Sequence, residues 1–145
     1  MPYLAAGSAG IGLVLEHYLA HRNDDQFAEA ADRIRRAASS PFYVEAGLFQ
    51  GRAGMILYLS HGCGARDRIV GDHIRRLSWH AIDYRGCAAF PGAEQLRLSM
   101  DLATGTAGVL LAVGAALHPA PVYLPFLAPP PSIPVSTGSA ASPVW

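Results

Sequence analysis

Residues 48–59 read Leu-Phe-Gln-Gly-Arg-Ala-Gly-Met-Ile-Leu-Tyr-Leu, and this stretch decides the fold class. A Gly-x-Ala-Gly motif occupies positions 51–54, and apolar residues follow it. A helix that is apolar on nearly every side is typical of a fully buried helix. Each glycine inside a helix costs about 1 kcal/mol relative to alanine, so two of them indicate close approach of a neighbouring helix end. The stretch therefore predicts a buried helix with a crowded amino end.

The same unit occurs three times along the chain, and such an internal repeat is typical of architectures built from stacked units. Its glycine pairs are Gly7 and Gly10, Gly51 and Gly54, and Gly105 and Gly108. A leucine stands three residues before each first glycine, at Leu4, Leu48 and Leu102. The copies are 44 and 54 residues apart, which leaves room for one helical hairpin per repeat. We interpret the six glycines as structural.

Two amphipathic segments lie between the buried helices. They cover residues 27–38 and 70–81, where apolar residues recur at helical spacing. Asn23 or Asp24 is suited to cap the first helix, and Asp72 is spaced to pair with Arg76 in the second. Buried and amphipathic helices therefore alternate, which is the pattern that a double-layered ring of inner and outer helices requires.

Residues 83–100 interrupt this alternation. Turn-forming residues, followed by alternating polar and apolar positions over 95–100, predict a short hairpin or a long structured loop. Eight of the eleven prolines lie in residues 118–145, which predicts an extended tail whose segment 123–127 could pack onto the helices. We therefore divide the chain into a helical domain over residues 1–117 and the Pro-rich tail.

The composition limits the partners of the chain. Its 145 residues hold eleven acidic and eleven basic side chains, so the net charge indicates neither nucleic acid nor an anionic membrane. The apolar run over 4–15 lacks the basic region that precedes a signal sequence, and the run over 106–117 is shorter than the roughly 20 residues that span a bilayer. Two cysteines are too few for a disulfide framework. We expect a soluble, cytoplasmic protein.

The repeat and its connecting helices resemble the lanthionine synthetase C-like family. Two phrases, LFQGRAGM over 48–55 and LRLSMDLATGTAGVLLA over 96–112, are similar to the C-terminal cyclase domain of class III lanthipeptide synthetases, which are kinase–cyclase fusions. The resemblance covers residues 3–117. It implies an all-α fold in which three inner and two outer helices form part of an α/α toroid of seven repeats. A partial ring has apolar edges, so self-association is expected.

The resemblance also implies a reaction on a dehydrated precursor peptide that consists of a leader and a core. A cysteine thiol adds to a dehydroalanine or dehydrobutyrine, and protonation of the resulting enolate completes a lanthionine ring. This chemistry needs a thiolate at neutral pH and a proton donor at the enolate. The implied partners are the precursor peptide, the kinase and lyase portions of a synthetase, and the remaining toroid repeats.

Zinc-dependent members of the family hold the metal with two cysteines and a histidine, including a Cys-His pair just before a repeated glycine. The corresponding pairs in this sequence are Ala5-Ala6, Phe49-Gln50 and Ala103-Thr104. None can bind zinc, and class III cyclases characteristically lack the set, so the resemblance implies a zinc-independent cyclase without a cofactor. His61 and Cys63 are the most metal-like residues. Two ligands are too few for a tetrahedral site, and we interpret them as the end of a helix.

Four residues are candidates for catalysis. Asp83, Arg85 and Asp101 are predicted to lie, together with Cys87, on the rim that carries the repeated glycines, where they would face the peptide. Arg52 stands at a helix amino end, where a cation opposes the helix dipole, so it is a candidate to contact a carboxylate or an enolate. Without catalysis, the first group would be surface charges on a hydrogen-bonded hairpin, and Arg52 would pack against a neighbouring acid.

Two other functions are open. The chain could be a non-catalytic fragment or scaffold that binds the peptide, which leaves its status as an enzyme undecided. It could also be another α/α-toroid enzyme, such as a glycosidase. A glycosidase needs paired carboxylates across a cleft, and Asp83 and Asp101 are the only acids predicted for the rim.

Overall fold

The computed structural model describes residues 1–63, 67–121 and 123–129. Within these residues the chain forms five α-helices and one two-stranded antiparallel sheet. The helices are α1 (Ser8–Leu19), α2 (Asp25–Ala38), α3 (Arg52–Cys63), α4 (Arg68–Arg76) and α5 (Thr106–Leu117), and the strands are β1 (Ile82–Tyr84) and β2 (Cys87–Ala89). The prediction of a mainly helical chain with a small hairpin is confirmed. Most of the Pro-rich tail, residues 130–145, lies outside the described ranges.

The helices begin in two different ways. Amphipathic α2 and α4 have side-chain caps: Asp24 accepts a hydrogen bond from the backbone N–H of Phe27, and Asp67 accepts one from that of Ile69. Buried α5 instead has a glycine at its N-cap, and its first N–H, at Thr106, donates to the backbone carbonyl of Ser99. The preceding loop thus satisfies with backbone atoms the groups that a polar side chain satisfies elsewhere.

The second glycine of each motif lies directly against the loop that precedes its helix. The pairs in contact are Gly10 with the Leu4 carbonyl, Gly54 with the Leu48 carbonyl, and Gly108 with the Leu102 carbonyl. A Cβ at any of these glycines would overlap the carbonyl oxygen, so no larger residue fits without moving the backbone. The structural interpretation of these glycines agrees with the geometry.

The motif leucines of the first two repeats, Leu4 and Leu48, also pack against the repeat that follows. The Cβ position of Gly54 lies 3.2 Å from the Cβ of Leu4, and that of Gly108 lies 2.8 Å from the Cβ of Leu48. The same contact is therefore made twice, in the same direction along the chain.

Backbone hydrogen bonds follow the same order. The N–H of Ala5 donates to the carbonyl of Phe49 at 3.0 Å, and the N–H of Phe49 donates to the carbonyl of Ala103 at 3.1 Å. These three residues occupy equivalent positions, each directly after the leucine of its repeat. The same backbone hydrogen bond therefore joins the first repeat to the second and the second repeat to the third.

Helix α3 is the centre of the molecule. It contacts α1, α2, α4 and α5, and every residue from 51 to 60 is buried. The amphipathic helices α2 and α4 lie outside and turn their charged positions to solvent. This arrangement explains why α3 is apolar on all sides whereas α2 and α4 are apolar on one.

The hairpin is shorter than the segment predicted for it. Strands β1 and β2 are joined by Arg85 and Gly86, whose φ angles of 55° and 77° form a tight two-residue turn. The alternating residues 95–100 contribute a single isolated bridge, between Pro91 and Leu98. Leu96 and Met100, two apolar positions of this alternation, are 80% and 71% exposed, so the alternation does not mark a half-buried strand.

The predicted pair of Asp72 with Arg76 is wrong. Asp72 pairs with Arg75 instead, three residues away on the helix. Arg76 donates to the carbonyl of Pro41 at 2.7 Å, and its guanidinium lies 5.4 Å from the centre of the Trp79 ring. A tertiary hydrogen bond outcompeted a local pair between exposed side chains, and such pairs are worth only about 0.5 kcal/mol.

The described part of the tail packs onto the helices, as predicted. Leu127 is buried in the core cluster, and the Tyr123 ring meets the imidazole of His61 edge to face at 5.7 Å. The backbone carbonyl of Ala128 lies 2.8 Å from Nε2 of His17 on α1. Among the described residues, no helix has the length and apolar content needed to cross a membrane.

Candidate functional site

Arg52 is the first residue of α3, and its side chain is completely buried. Its Nη1 donates to the carbonyl of Pro41 at 3.2 Å and lies 3.3 Å from Nδ1 of His73. The carbon at the centre of the guanidinium lies 5.7 Å from the ring centres of both Tyr43 and Trp79. Aromatic faces attract a cation at this distance, so two rings and a carbonyl hold the guanidinium in place.

The expected acid beside Arg52 is not found in the described residues. The ion pairs located there do not include Arg52. The Nε and Nη2 atoms of Arg52 are buried and have no hydrogen-bond partner among the described atoms. A buried charge without a counter-charge is costly, so packing against an acid does not explain this arginine.

Two histidines beside Arg52 are neutral at neutral pH. Burial, with help from Arg52 and Arg76, lowers the pKa of His73 to about 4. Burial and Arg52 also lower the pKa of His80. Burial, followed by Arg76, lowers the pKa of Arg52 itself. A neutral imidazole can accept a hydrogen bond from Arg52 without adding a second buried charge.

Sequence reasoning found Arg52 but missed the residues that surround it. His73 shares an apolar stripe with Val70 in α4 and with Leu77, which directly follows that helix, and all three are buried. A histidine within an apolar stripe is the feature of the sequence that could have indicated a buried polar partner for Arg52. Trp79 and Tyr43 had no such signal, because each lies in a connection whose path depends on the tertiary fold.

The hairpin carries Asp83, Arg85 and Cys87, and all three are exposed. Oδ1 of Asp83 accepts a hydrogen bond from the backbone N–H of Gly86 at 2.9 Å and so stabilises the turn. The Arg85 guanidinium lies over the ring of Tyr84, 5.2 Å from its centre. A shallow cavity of about 220 Å³ lies beside the turn and includes Asp83 and Cys87 in its lining.

Asp101 organises the loop that leads into α5. Its carboxylate accepts hydrogen bonds from the hydroxyl of Ser99, from the Thr104 N–H at 2.7 Å and from the Thr104 hydroxyl at 2.9 Å. These hydrogen bonds, the one from Ser99 first, hold the pKa of Asp101 well below its usual range. The side chain is exposed and ionised at any pH near neutrality.

The four candidate residues are placed in two environments. Arg52 is enclosed by the core, whereas Asp83, Arg85 and Asp101 are exposed. The polar and aromatic contacts found for each are with other residues, and none joins two of the four. Their catalytic roles stay predictions.

The side chain of His61, near the end of α3, is buried. Its Nδ1 lies 3.6 Å from Oε2 of Glu16, and its imidazole meets the Tyr123 ring. Glu16 also accepts a hydrogen bond from Arg35 at 2.7 Å. Over the described ranges, no cluster of three or more His, Cys, Asp or Glu side chains could hold a metal ion.

A cavity of about 550 Å³ lies beside α1. Its lining is almost entirely apolar and comes from the residues before α1, from α1 itself, from the loop before α3 and from the tail segment. The lining residues are Leu4, Ala5, Gly10, Leu13, Val14, His17, Phe49, Pro125, Phe126 and Leu127. Sequence reasoning did not predict this cavity, because it forms between segments far apart in the chain.

Comparison with known proteins gives one informative relative. The chain is 54% identical over 134 residues to a protein of Streptomyces coelicolor described as a probable SapB synthase. This chain is a homologue of part of that synthase. The match covers 90% of the chain but only 14% of the synthase. No protein-family model matches the chain. The likeness supports the relationship to lanthipeptide synthetases that the repeated motif and its flanking phrases indicate.

Proposed function

We propose that this chain is part of the cyclase domain of a class III lanthipeptide synthetase, and that its three repeats are a segment of an α/α toroid. The observation that carries the proposal is the leucine–glycine contact made twice in the same direction, from Leu4 to Gly54 and from Leu48 to Gly108. A constant relation between successive repeats generates a curved array. In this arrangement α1, α3 and α5 are inner helices, and α2 and α4 are outer helices.

The proposed reaction is the Michael addition of a peptide thiol to a dehydroamino acid. The thiol loses its proton, a carbon–sulfur bond forms at the β-carbon, and the carbon–carbon double bond becomes an enolate. A proton delivered to the α-carbon then completes the lanthionine. The addition balances without an added oxidant or reductant. The protein therefore needs to supply only binding of the peptide, stabilisation of the enolate charge and proton transfer.

The exposed candidates suit different parts of this reaction. Arg85 presents a cation on the hairpin, where it could stabilise the negative charge of an enolate. Asp101 has a pKa well below its usual range, which makes it a weak base and suits it to attract a positively charged peptide segment. Arg52 is buried, and a direct role for it would require the loop at Pro41 to open.

A non-catalytic peptide-binding role is the second candidate. It is favoured by the local hydrogen bonds of Asp83 and Asp101, which give both carboxylates a structural task. In this alternative the apolar cavity beside α1 or the hairpin surface holds the precursor while another part of a synthetase performs the addition.

The test incubates the chain with a dehydrated precursor peptide that keeps its leader, and follows loss of free thiol by alkylation with a maleimide. Ring closure protects the thiol, so the proposal predicts a protected fraction well above the reaction without protein. Arg85→Gln should lower the rate of thiol protection. Arg33→Gln should leave that rate unchanged, because Arg33 is exposed on α2 and is distant in sequence from the hairpin. Binding measured by fluorescence anisotropy without thiol protection would support the scaffold, and neither binding nor protection would contradict both roles.

A further inference from the structure

One complete edge of the Arg52 guanidinium has no partner among the described residues. The Nη1 atom is used, because it donates to the carbonyl of Pro41 and lies 3.3 Å from Nδ1 of His73. The Nε and Nη2 atoms are the ones that are buried without an acceptor. In an arginine the N–H groups of Nε and Nη2 point the same way, and these parallel donors match the two oxygens of a carboxylate. The free edge therefore has the geometry of a carboxylate site.

A second guanidinium lies beside that of Arg52. The carbonyl of Pro41 accepts hydrogen bonds from Arg52 at 3.2 Å and from Arg76 at 2.7 Å, so two cations meet at one oxygen atom. Within the described ranges, the ion pairs found include neither of these arginines. Asp72 is the acid on the same helix as Arg76, and it pairs with Arg75. The local charge therefore favours an anion.

His80 supplies another buried nitrogen near Arg52. Its Nε2 atom is buried and has no hydrogen-bond partner in the part of the chain that the structure describes. Burial and the Arg52 charge lower the pKa of His80, so the imidazole is neutral at neutral pH. One tautomer of a neutral imidazole carries its proton on Nε2 and donates a hydrogen bond from that atom. An anion beside Arg52 can therefore accept from both side chains.

Trp79 covers the guanidinium of Arg52. The centre of its ring lies 5.7 Å from the central carbon of Arg52 and 5.4 Å from that of Arg76, where an aromatic face attracts a cation. A cavity of about 70 Å³ lies beside Arg76, but Arg52 is not in its lining. Trp79 is 66% exposed, whereas Tyr43, the other ring at Arg52, is 5% exposed. For a group as small as a carboxylate, Trp79 is therefore the cover that has room to move.

We propose that Arg52, Arg76 and His80 form a binding site for a carboxylate, and that Trp79 closes over it. Nε and Nη2 of Arg52 hold the two oxygens side-on, His80 donates a third hydrogen bond, and Arg76 contributes a second positive charge. An enolate has a single charged oxygen and leaves one of the parallel donors unsatisfied. The site therefore recognises an acidic group and does not act on the reacting atoms.

Two sources supply the same chemistry to this site. One is a small free acid, and the other is an acidic side chain of the precursor peptide. The peptide source rests on the proposed function. The site itself rests on the contacts of Arg52 and its neighbours, so either inference can fail without the other.

The test follows Trp79 fluorescence in a Trp145→Phe background, which leaves a single tryptophan. Sodium acetate replaces sodium chloride at constant ionic strength, and acetate should give a saturable change because it displaces the ring from two guanidinium groups. In protein with isotope-labelled arginine, one Nε proton resonance should move downfield over the same titration, as a charge-assisted hydrogen bond requires. No change when acetate replaces chloride would overturn the proposal.

Three variants show which groups bind acetate. Arg52→Lys keeps the charge but removes the parallel donors, so it should weaken binding by about tenfold or more. His80→Phe removes one neutral donor and should weaken binding by about threefold. Arg75→Lys makes the matched change at an exposed position of α4 and should bind like the wild type. Unweakened binding by Arg52→Lys would contradict the site.

Far-ultraviolet circular dichroism checks that each variant folds. If Arg52→Lys does not fold, the Nε resonance of the wild type and the affinity of His80→Phe decide the question. Loss of binding in Arg75→Lys equal to that in His80→Phe would show that acetate responds to surface charge alone, and would overturn the proposal.

Two capped tripeptides separate the sources of the carboxylate. Acetyl-Gly-Glu-Gly-amide should compete with acetate if a peptide side chain enters the site, and acetyl-Gly-Gln-Gly-amide should not. Acetate binding without competition by the glutamate peptide would support the site and assign it to a small free acid. Thiol protection is measured separately, so ring closure without acetate binding would overturn this inference and leave the proposed function standing.

Discussion

Arg52 shows how much local chemistry depends on tertiary surroundings. Its guanidinium is held by two aromatic rings, one carbonyl and a neutral histidine, with no carboxylate among the described residues at ion-pair distance. Removing a charge from water without a counter-charge is expensive, and the neighbouring imidazoles respond by staying unprotonated. Asp101 is the opposite case, because its carboxylate is exposed and three hydrogen bonds further favour its charged form.

The low pKa of His73 predicts a stability change with pH. Its pKa is about 4 in the folded chain and about 6.5 when unfolded, so the unfolded chain binds the extra proton between these values. The free energy of unfolding should therefore be highest above pH 6.5 and fall toward pH 4, by at most about 1.4 kcal/mol per pH unit from this residue.

Urea denaturation at a series of pH values measures this effect. His73→Asn keeps an amide near the position of the ring nitrogen but cannot be protonated, so its stability should depend less on pH over the same interval. Leu96→Gln, an exposed change without a titrating group, serves as the control. Equal slopes in His73→Asn and wild type would show that the histidine does not resist protonation in the folded state.

At the scale of the elements, the repeated glycines decide how the helices start. Helices α1, α3 and α5 each begin after a loop whose leucine carbonyl lies against the second glycine, and α1 and α5 begin without a polar side-chain cap. Gly71 in α4 is a helical glycine of another kind, because nothing lies within 4 Å of its Cβ position.

A matched pair of alanine substitutions tests this distinction. Gly71→Ala should stabilise the chain by about 0.5–1 kcal/mol, since the helix gains propensity and no atom is displaced. Gly54→Ala should destabilise it by more than that, because the new methyl group overlaps the Leu48 carbonyl and displaces Leu4. Chemical denaturation gives both values. A stabilising Gly54→Ala would mean that the loop moves aside freely and that the contact between repeats is weak.

At the scale of the whole molecule, the tail segment over residues 123–129 belongs to the same core as the helices. Leu127 is 4% exposed, whereas the adjacent Phe126 is 67% exposed. A boundary placed at residue 117 on composition therefore divides residues that pack together. A short 3₁₀ turn, Pro125–Leu127, lies within this segment, and burial of Leu127 attaches the segment to the helices.

Truncation of these two side chains tests the attachment. Leu127→Ala should cost about 2–4 kcal/mol of stability through lost burial and the cavity left behind. Phe126→Ala should change stability by about 0.5 kcal/mol or less, because the ring is mostly in solvent. Thermal and urea unfolding of both variants supply the comparison. Equal effects would place the segment outside the cooperative core.

Much of the fold was accessible from the sequence. The repeated motif, the buried helix α3, the amphipathic helices α2 and α4, and the hairpin follow from local periodicity and from turn residues, which act over a few positions of the chain. The prediction that α1 is buried on nearly every side is wrong, because Ile11 and Val14 are 60% and 68% exposed. The cap at Asp24 was one of two predicted alternatives, and it follows from the same local chemistry.

The surroundings of each candidate site residue were decided only by the tertiary structure. The burial of Arg52 between Tyr43 and Trp79, the turn of Arg76 toward Pro41, and the cavity beside Gly10 each join segments far apart in the chain. Such contacts are chosen by competition between burial, charge and packing across the whole molecule. The Gly-x-Ala-Gly motif indicates where a helix begins. It carries no information about which residues a charged side chain such as Arg52 or Arg76 will contact in the folded chain.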